Sequence, residues 1–187
     1  ATESGTAARS LTLTSNGRCL IYADGARGNG VEAAMSLASA LKDSLGVTVM
    51  ITNAGNDIMA NGDSGLLTRG TIRRASGHFT AFDLTIDGFA SAAPSSRSFV
   101  AFDEPQDGVE SDCDLIIDIT GGTPLFTGWE KRDGYFRADA EDSLRLKSLA
   151  AEAAEMIGDF EKPIYVDYDA DLCAHSRNSL TGCSRCL

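Results

Sequence analysis

Apolar and polar positions alternate along this chain in two distinguishable rhythms. Residues 17–24 contain Cys19-Leu20-Ile21-Tyr22-Ala23, a short apolar run suited to a buried strand. Beyond the glycine-rich segment 24–30, Val31, Ala34, Met35, Ala38, Leu41 and Leu45 recur at helical spacing. Asn29 and Glu32 stand in capping-box positions at its start, and Gly46 marks its end. Residues 47–52 then read as a second buried strand. Strand, glycine loop, helix and strand within so short a stretch predict a βαβ unit with parallel strands and a right-handed crossover.

The middle of the chain follows a different rhythm. Residues 71–74, 80–87 and 98–102 read as short strands between Gly, Ser and Pro turns. Phe82, Leu84 and Ile86 alternate with polar neighbours, which predicts an antiparallel hairpin with one exposed face. Residues 115–120 form the most continuous apolar run and lead into Gly121-Gly122. A loop over 123–138 follows. A second helix is expected after a cap at Asp139, with Leu146, Leu149, Ala150, Ala153 and Ile157 on one face and Gly158 closing it. Residues 163–166 start a last strand, and the apolar pattern stops near residue 167. The expectation is a three-layer, Rossmann-like α/β domain over residues 1–167. Its mixed sheet joins a parallel βαβ unit to an antiparallel hairpin, and a separate tail follows over 168–187.

Composition narrows the partners. The 187 residues are 43% apolar and 23% charged, too apolar for intrinsic disorder. No apolar run approaches the roughly 20 residues of a membrane span. A net charge of −11 makes nucleic acid and anionic lipid poor partners. Five cysteines are an odd count, too sparse for a secreted disulfide scaffold, and the first residues lack the basic and apolar regions of a secretory signal. A reducing cytoplasm is the expected setting.

The tail carries the sharpest chemical signal: Cys173-Ala-His-Ser-Arg-Asn-Ser-Leu-Thr-Gly-Cys183-Ser-Arg-Cys186-Leu187. A Cys-x-x-Cys turn can aim two thiolates at one metal or cluster, and Arg177 and Arg185 would favour the thiolate form. The tail resembles the opening of a bacterial ferredoxin-type four-iron four-sulfur segment. More loosely, residues 114–139 and onward resemble proteobacterial multi-domain iron–sulfur proteins, in which an α/β region precedes ferredoxin-like domains. The resemblance implies that Cys173, Cys183 and Cys186 are cluster ligands, with a fourth cysteine beyond Leu187. It also implies that the chain as given is cluster-free. His175 with the three cysteines offers a Cys₃His zinc site as the competing reading; inert thiols are a third.

Two glycine segments are candidate ligand sites. Gly25, Gly28 and Gly30 occupy the strand-to-helix turn where a phosphate loop belongs, although no acidic residue ends the second strand to hold a ribose. A glycine turn that merely admits the chain to the helix is the preferred explanation of them. Gly121 and Gly122 follow the central strand, where open α/β sheets place ligands. The loop after them offers Trp129, Lys131, Arg132, Tyr135 and Arg137, suited either to an anionic ligand or to ordinary solvation. His78 has no partner at a diagnostic spacing, and no catalytic constellation stands out. These features predict a non-catalytic iron–sulfur electron carrier serving a redox partner protein, with the α/β domain for docking or regulation. The alternatives are a NAD(P)H- or flavin-dependent oxidoreductase module and a zinc-stabilised interaction module.

Overall fold

The computed structural model describes residues 10–55, 58, 66–93, 100–128 and 132–163. The protein is a mixed α/β structure rich in strands. In chain order it runs β1 (Ser10–Ser15), β2 (Arg18–Asp24), α1 (Gly30–Leu41), β3 (Gly46–Thr52), β4 (Leu67–His78), β5 (Ala81–Ala93), β6 (Ala101–Phe102), β7 (Val109–Cys113), β8 (Leu115–Asp118), β9 (Tyr135–Arg137), α2 (Ser143–Ala154) and β10 (Gly158–Pro163). Two compact units divide the chain: Leu13–Phe160, which holds the main sheet, and Ala1–Thr12 with Glu161–Leu187. Among its described residues the second unit contains only the outer ends of β1 and β10, which pair as a two-stranded sheet. The expected boundary at residue 167 lies outside the described residues, as does the strand expected over 164–166.

The main sheet has the order β6-β5-β4-β3-β2-β8-β9, with β7 paired to β5. Five of these strands, β4-β3-β2-β8-β9, are mutually parallel. The βαβ unit is therefore present: β2 and β3 pair in parallel from Arg18↔Gly46 to Asp24↔Thr52, with α1 as the crossover. The antiparallel hairpin is present too, as β4 and β5, and is longer than its sequence pattern suggests.

Alternate strand residues feed two separate cores, as the period of two requires. Cys19, Ile21, Val47, Val49, Leu115 and Ile117 pack with Leu37 and Leu41 of α1 and with Leu146 and Leu149 of α2. Both helices therefore cover the same face. The opposite face presents Leu20, Tyr22, Met50 and Ile116, and these pack against Phe82, Leu84 and Ile86 of β5. The hairpin curls over that face, helped by irregularities in the β4–β5 register near Gly70 and Arg73. Phe79 and Phe160 meet edge to face at 5.0 Å across the helical side of the core. No helix among the described residues is long and apolar enough to cross a membrane.

Several local expectations need correction. Asn29 precedes α1, but its side chain makes no cap bond. Its φ of −95° and ψ of 20° lie outside the extended region that lets a cap side chain turn back. The amide instead donates to the Ala140 carbonyl at 3.3 Å. The cap of α2 is Asp142, which accepts from the Arg145 N–H at 2.9 Å; Asp139 caps only the preceding turn, through the Glu141 N–H. Gly46 and Gly158 begin strands rather than close helices, and Ile157 is half exposed.

At the N-terminal edge of the parallel strands, fully buried Asp114 ties β2 to β8. Its carboxylate accepts from the N–H groups of Asn16 (2.8 Å) and Arg18 (3.1 Å), and from the Arg18 guanidinium at 2.8 Å. Asp112 also pairs with Arg18, and the two carboxylates raise the affinity of that guanidinium for its proton. Asp114→Ala leaves two backbone donors without partners and should cost about 2–3 kcal/mol. Chemical denaturation is expected to show a lower midpoint with an unchanged m-value.

Candidate functional site

The strand order defines where a ligand has room. From β2 the chain moves outward to β3 and β4; the later strands β8 and β9 add on β2's other side. The order reverses between β2 and β8, and in open parallel sheets the crevice outside the C-terminal ends of such a pair is the usual ligand position. Both glycine segments singled out in the sequence lie here. Gly25–Gly30 follows β2, and Gly121–Gly122 follows β8.

Asp118, the last residue of β8, is buried at 1% exposure and organises this end of the sheet. Its Oδ1 accepts from the Thr120 N–H (3.0 Å) and hydroxyl (2.7 Å). Its Oδ2 accepts from the Tyr135 hydroxyl (2.7 Å) and from Arg137 Nε (3.2 Å), both on β9. Each carboxylate oxygen thus receives two donors, which satisfies a charge that burial would otherwise penalise. Arg137 extends past Asp118 and donates from Nη2 to the Gly122 carbonyl at 2.7 Å. The Thr120 hydroxyl in turn accepts from the Gly122 N–H at 3.2 Å. The glycine turn is consequently held from both sides. Burial foremost, then the hydrogen bond to Asp118, pushes the Tyr135 phenol well above its ordinary range, so it is a neutral donor.

A row of hydroxyls continues across the sheet on the same face. Tyr22, the register partner of Asp118, accepts from the Ile72 N–H at 3.3 Å, and burial raises its pKa. The Thr52 and Thr71 hydroxyls bond to each other at 2.8 Å.

The first glycine loop is closed largely by its own contacts. Asp24 Oδ1 accepts from the Ala26 N–H at 2.9 Å and from the Asn53 amide at 3.0 Å. A Cβ on Gly30 would land on the Asp24 carbonyl oxygen, so glycine is required there by the turn's own packing. The Glu141 carboxylate lies beside Gly28. Arg27 reaches over to the second loop, where its guanidinium occupies the space of a Cβ on Gly121, whose φ is +63°.

The basic loop divides. Tyr135 and Arg137 belong to β9 and enter the Asp118 network, whereas Arg132 stacks 4.6 Å from the Phe126 ring and donates to the Gly77 carbonyl. Trp129 and Lys131 lie outside the described residues, as do Cys173, His175, Cys183 and Cys186. His78 Nδ1 contacts the Phe79 carbonyl at 2.8 Å. Cys19 and Cys113 are buried and free, and burial pushes both thiols up to about 12. Among the described residues, no cluster of three His, Cys, Asp or Glu side chains is placed to hold a metal.

Sequence reasoning missed Asp118 and Arg27. The available signal for Asp118 was a carboxylate closing an otherwise apolar buried run, a position that demands partners. Against known protein families, curated proteins and solved structures, the chain shows no significant match.

Proposed function

We propose that the chain belongs to an iron–sulfur electron-transfer protein. In this reading Cys173, Cys183 and Cys186 hold a four-iron four-sulfur cluster together with a fourth thiolate placed after Leu187. The Cys183-x-x-Cys186 spacing carries the reading. Supporting it, the other two cysteines are poor ligand candidates: Cys19 and Cys113 are core side chains that stay protonated at neutral pH. The α/β domain is then a Rossmann-like docking or regulatory module for a redox partner, and the tail begins a ferredoxin-like segment.

A second reading, a NAD(P)H- or flavin-binding module, draws support from the reversal of strand order between the two glycine loops. The acidic surroundings of the first loop, with Glu32 in the first turn of α1 and Glu141 beside Gly28, weigh against a pyrophosphate there.

The test uses the chain extended by the residues that follow Leu187 in its gene, reconstituted anaerobically with iron and sulfide. About four irons per chain are expected, with a visible absorption band that bleaches on reduction. Cys183→Ser should abolish both. A colourless product, or one that holds stoichiometric zinc instead, overturns the cluster. Micromolar binding of NADPH or a flavin to the 187-residue chain would favour the second reading.

A further inference from the structure

We propose that the core beneath the hairpin encloses a binding site for a small uncharged molecule built on one aromatic ring. A cavity of about 180 Å³ lies between the N-terminal ends of β2 and β3 and the strands β5 and β7. Its origin is in the strand register. Pairing of β3 with β4 begins at Val49↔Leu67, so Gly46, Val47 and Thr48 at the start of β3 have no partner on β4. The hairpin curls over this end of the sheet without filling the space beneath it. Leu20, Met50, Leu84, Ile86, Phe89 and Cys113 form the walls, and all but Phe89 are buried. Carbon and sulfur walls offer water few hydrogen-bond partners, and a void so lined forfeits dispersion contacts that an apolar guest restores. Cavities of about 150 Å³ with leucine, isoleucine and phenylalanine walls admit benzene, so this volume fits a single ring.

The groups around the space decide against a charge. Thr68 also lines it, but its hydroxyl already donates to the Val49 carbonyl at 3.1 Å. The Cys113 thiol is kept neutral by burial. At the rim Arg18 is shared between Asp112 and Asp114, one guanidinium for two carboxylates, which disfavours anions. An ammonium group would surrender its water to hydrocarbon and sulfur. The preference for an aromatic ring comes from the walls: the thioether of Met50 and the thiol of Cys113 are polarizable partners for a ring edge, and Phe89 is a ring itself. Thr48 and Ser111 mark the entrance. Both are exposed, and each stands in register with a wall residue, Thr48 with Leu20 and Ser111 with Leu84, so both face the cavity. None of this depends on the cluster assigned to the tail.

The 187-residue chain, labelled at its Met, Leu and Ile methyl groups, is titrated with benzene, cyclohexane, benzoate and benzylammonium while the methyl resonances are followed. Benzene is expected to shift Met50, Leu84 and Ile86 saturably. It should bind about two- to tenfold more tightly than cyclohexane, the range that sulfur–ring contacts supply. Neither ion should shift these methyls. Ser111→Phe, a change at the exposed entrance, should block benzene and leave the remaining methyl spectrum folded. Met50→Leu keeps the volume but removes the sulfur, and should reduce the preference for benzene over cyclohexane. Cyclohexane binding as tightly as benzene overturns the aromatic assignment, and an equal response to either ion overturns the uncharged one. The absence of saturable shifts with benzene, or shifts that Ser111→Phe leaves unchanged, overturns the site, and neither result bears on the iron content of the extended chain.

Discussion

Replacing Asp118 with alanine is expected to destabilise the protein by about 3 kcal/mol, the low end of what breaking a buried ion pair costs. The low end applies because Arg137 is about one-third exposed and can recover water once its partner is gone. The Thr120 N–H has no such recourse, since Thr120 is itself buried. Tyr135→Phe, which removes one of the four donors, should cost only about 1 kcal/mol. Urea denaturation of the two variants reads both losses. If Asp118→Ala were no worse than Tyr135→Phe, the carboxylate would not be the organising group at this end of the sheet.

Asp118, the last residue of β8, and Asp114, just before that strand, show how much was legible in the sequence. Strands β2, β3 and β8 and helix α1 were readable because each is a near-continuous apolar or helically periodic segment, and burial of such segments dominates local preference. Phe82, Leu84 and Ile86 announced the hairpin by alternation, but its full length was hidden by exposed Arg73 and Arg74 and by the register shifts beside them. Strand β7 was unreadable: Glu110, Ser111 and Asp112 are exposed and polar, and pairing with β5 makes them a strand. Strand β9 is three residues long and takes its conformation from β8. The glycine positions at the crevice were visible from their place after strands. Their chemistry was not, because Asp118, Tyr135 and Arg137 are 17 to 19 residues apart and only the β8–β9 register brings them together. Arg27 is further still from Gly121 in sequence, and no local pattern connects them.

Alkaline pH should unfold this protein early. In the unfolded chain the thiols of Cys19 and Cys113 ionise near 8.5 and tyrosines near 10. In the folded protein burial holds both thiols to about 12 and raises Tyr22 and Tyr135 as well. Between those limits the unfolded state binds fewer protons than the native state. Stability is therefore intact below about pH 8.5 and falls as pH rises above it. Each thiol contributes a slope of about 1.4 kcal/mol per pH unit, so by about pH 10.5 the two together remove on the order of 5 kcal/mol. That is comparable to the whole stability of many domains, about 5–15 kcal/mol, and the tyrosines add to it beyond pH 10. Circular dichroism should show cooperative unfolding between about pH 10 and 11 at room temperature, with little change from pH 6 to 8. The double variant Cys19→Ala/Cys113→Ala should be less stable at neutral pH, through lost packing, yet decline less steeply with pH. Identical slopes in the two proteins would mean that the thiols are not the groups responsible, and that Tyr22 and Tyr135 govern the alkaline limit instead.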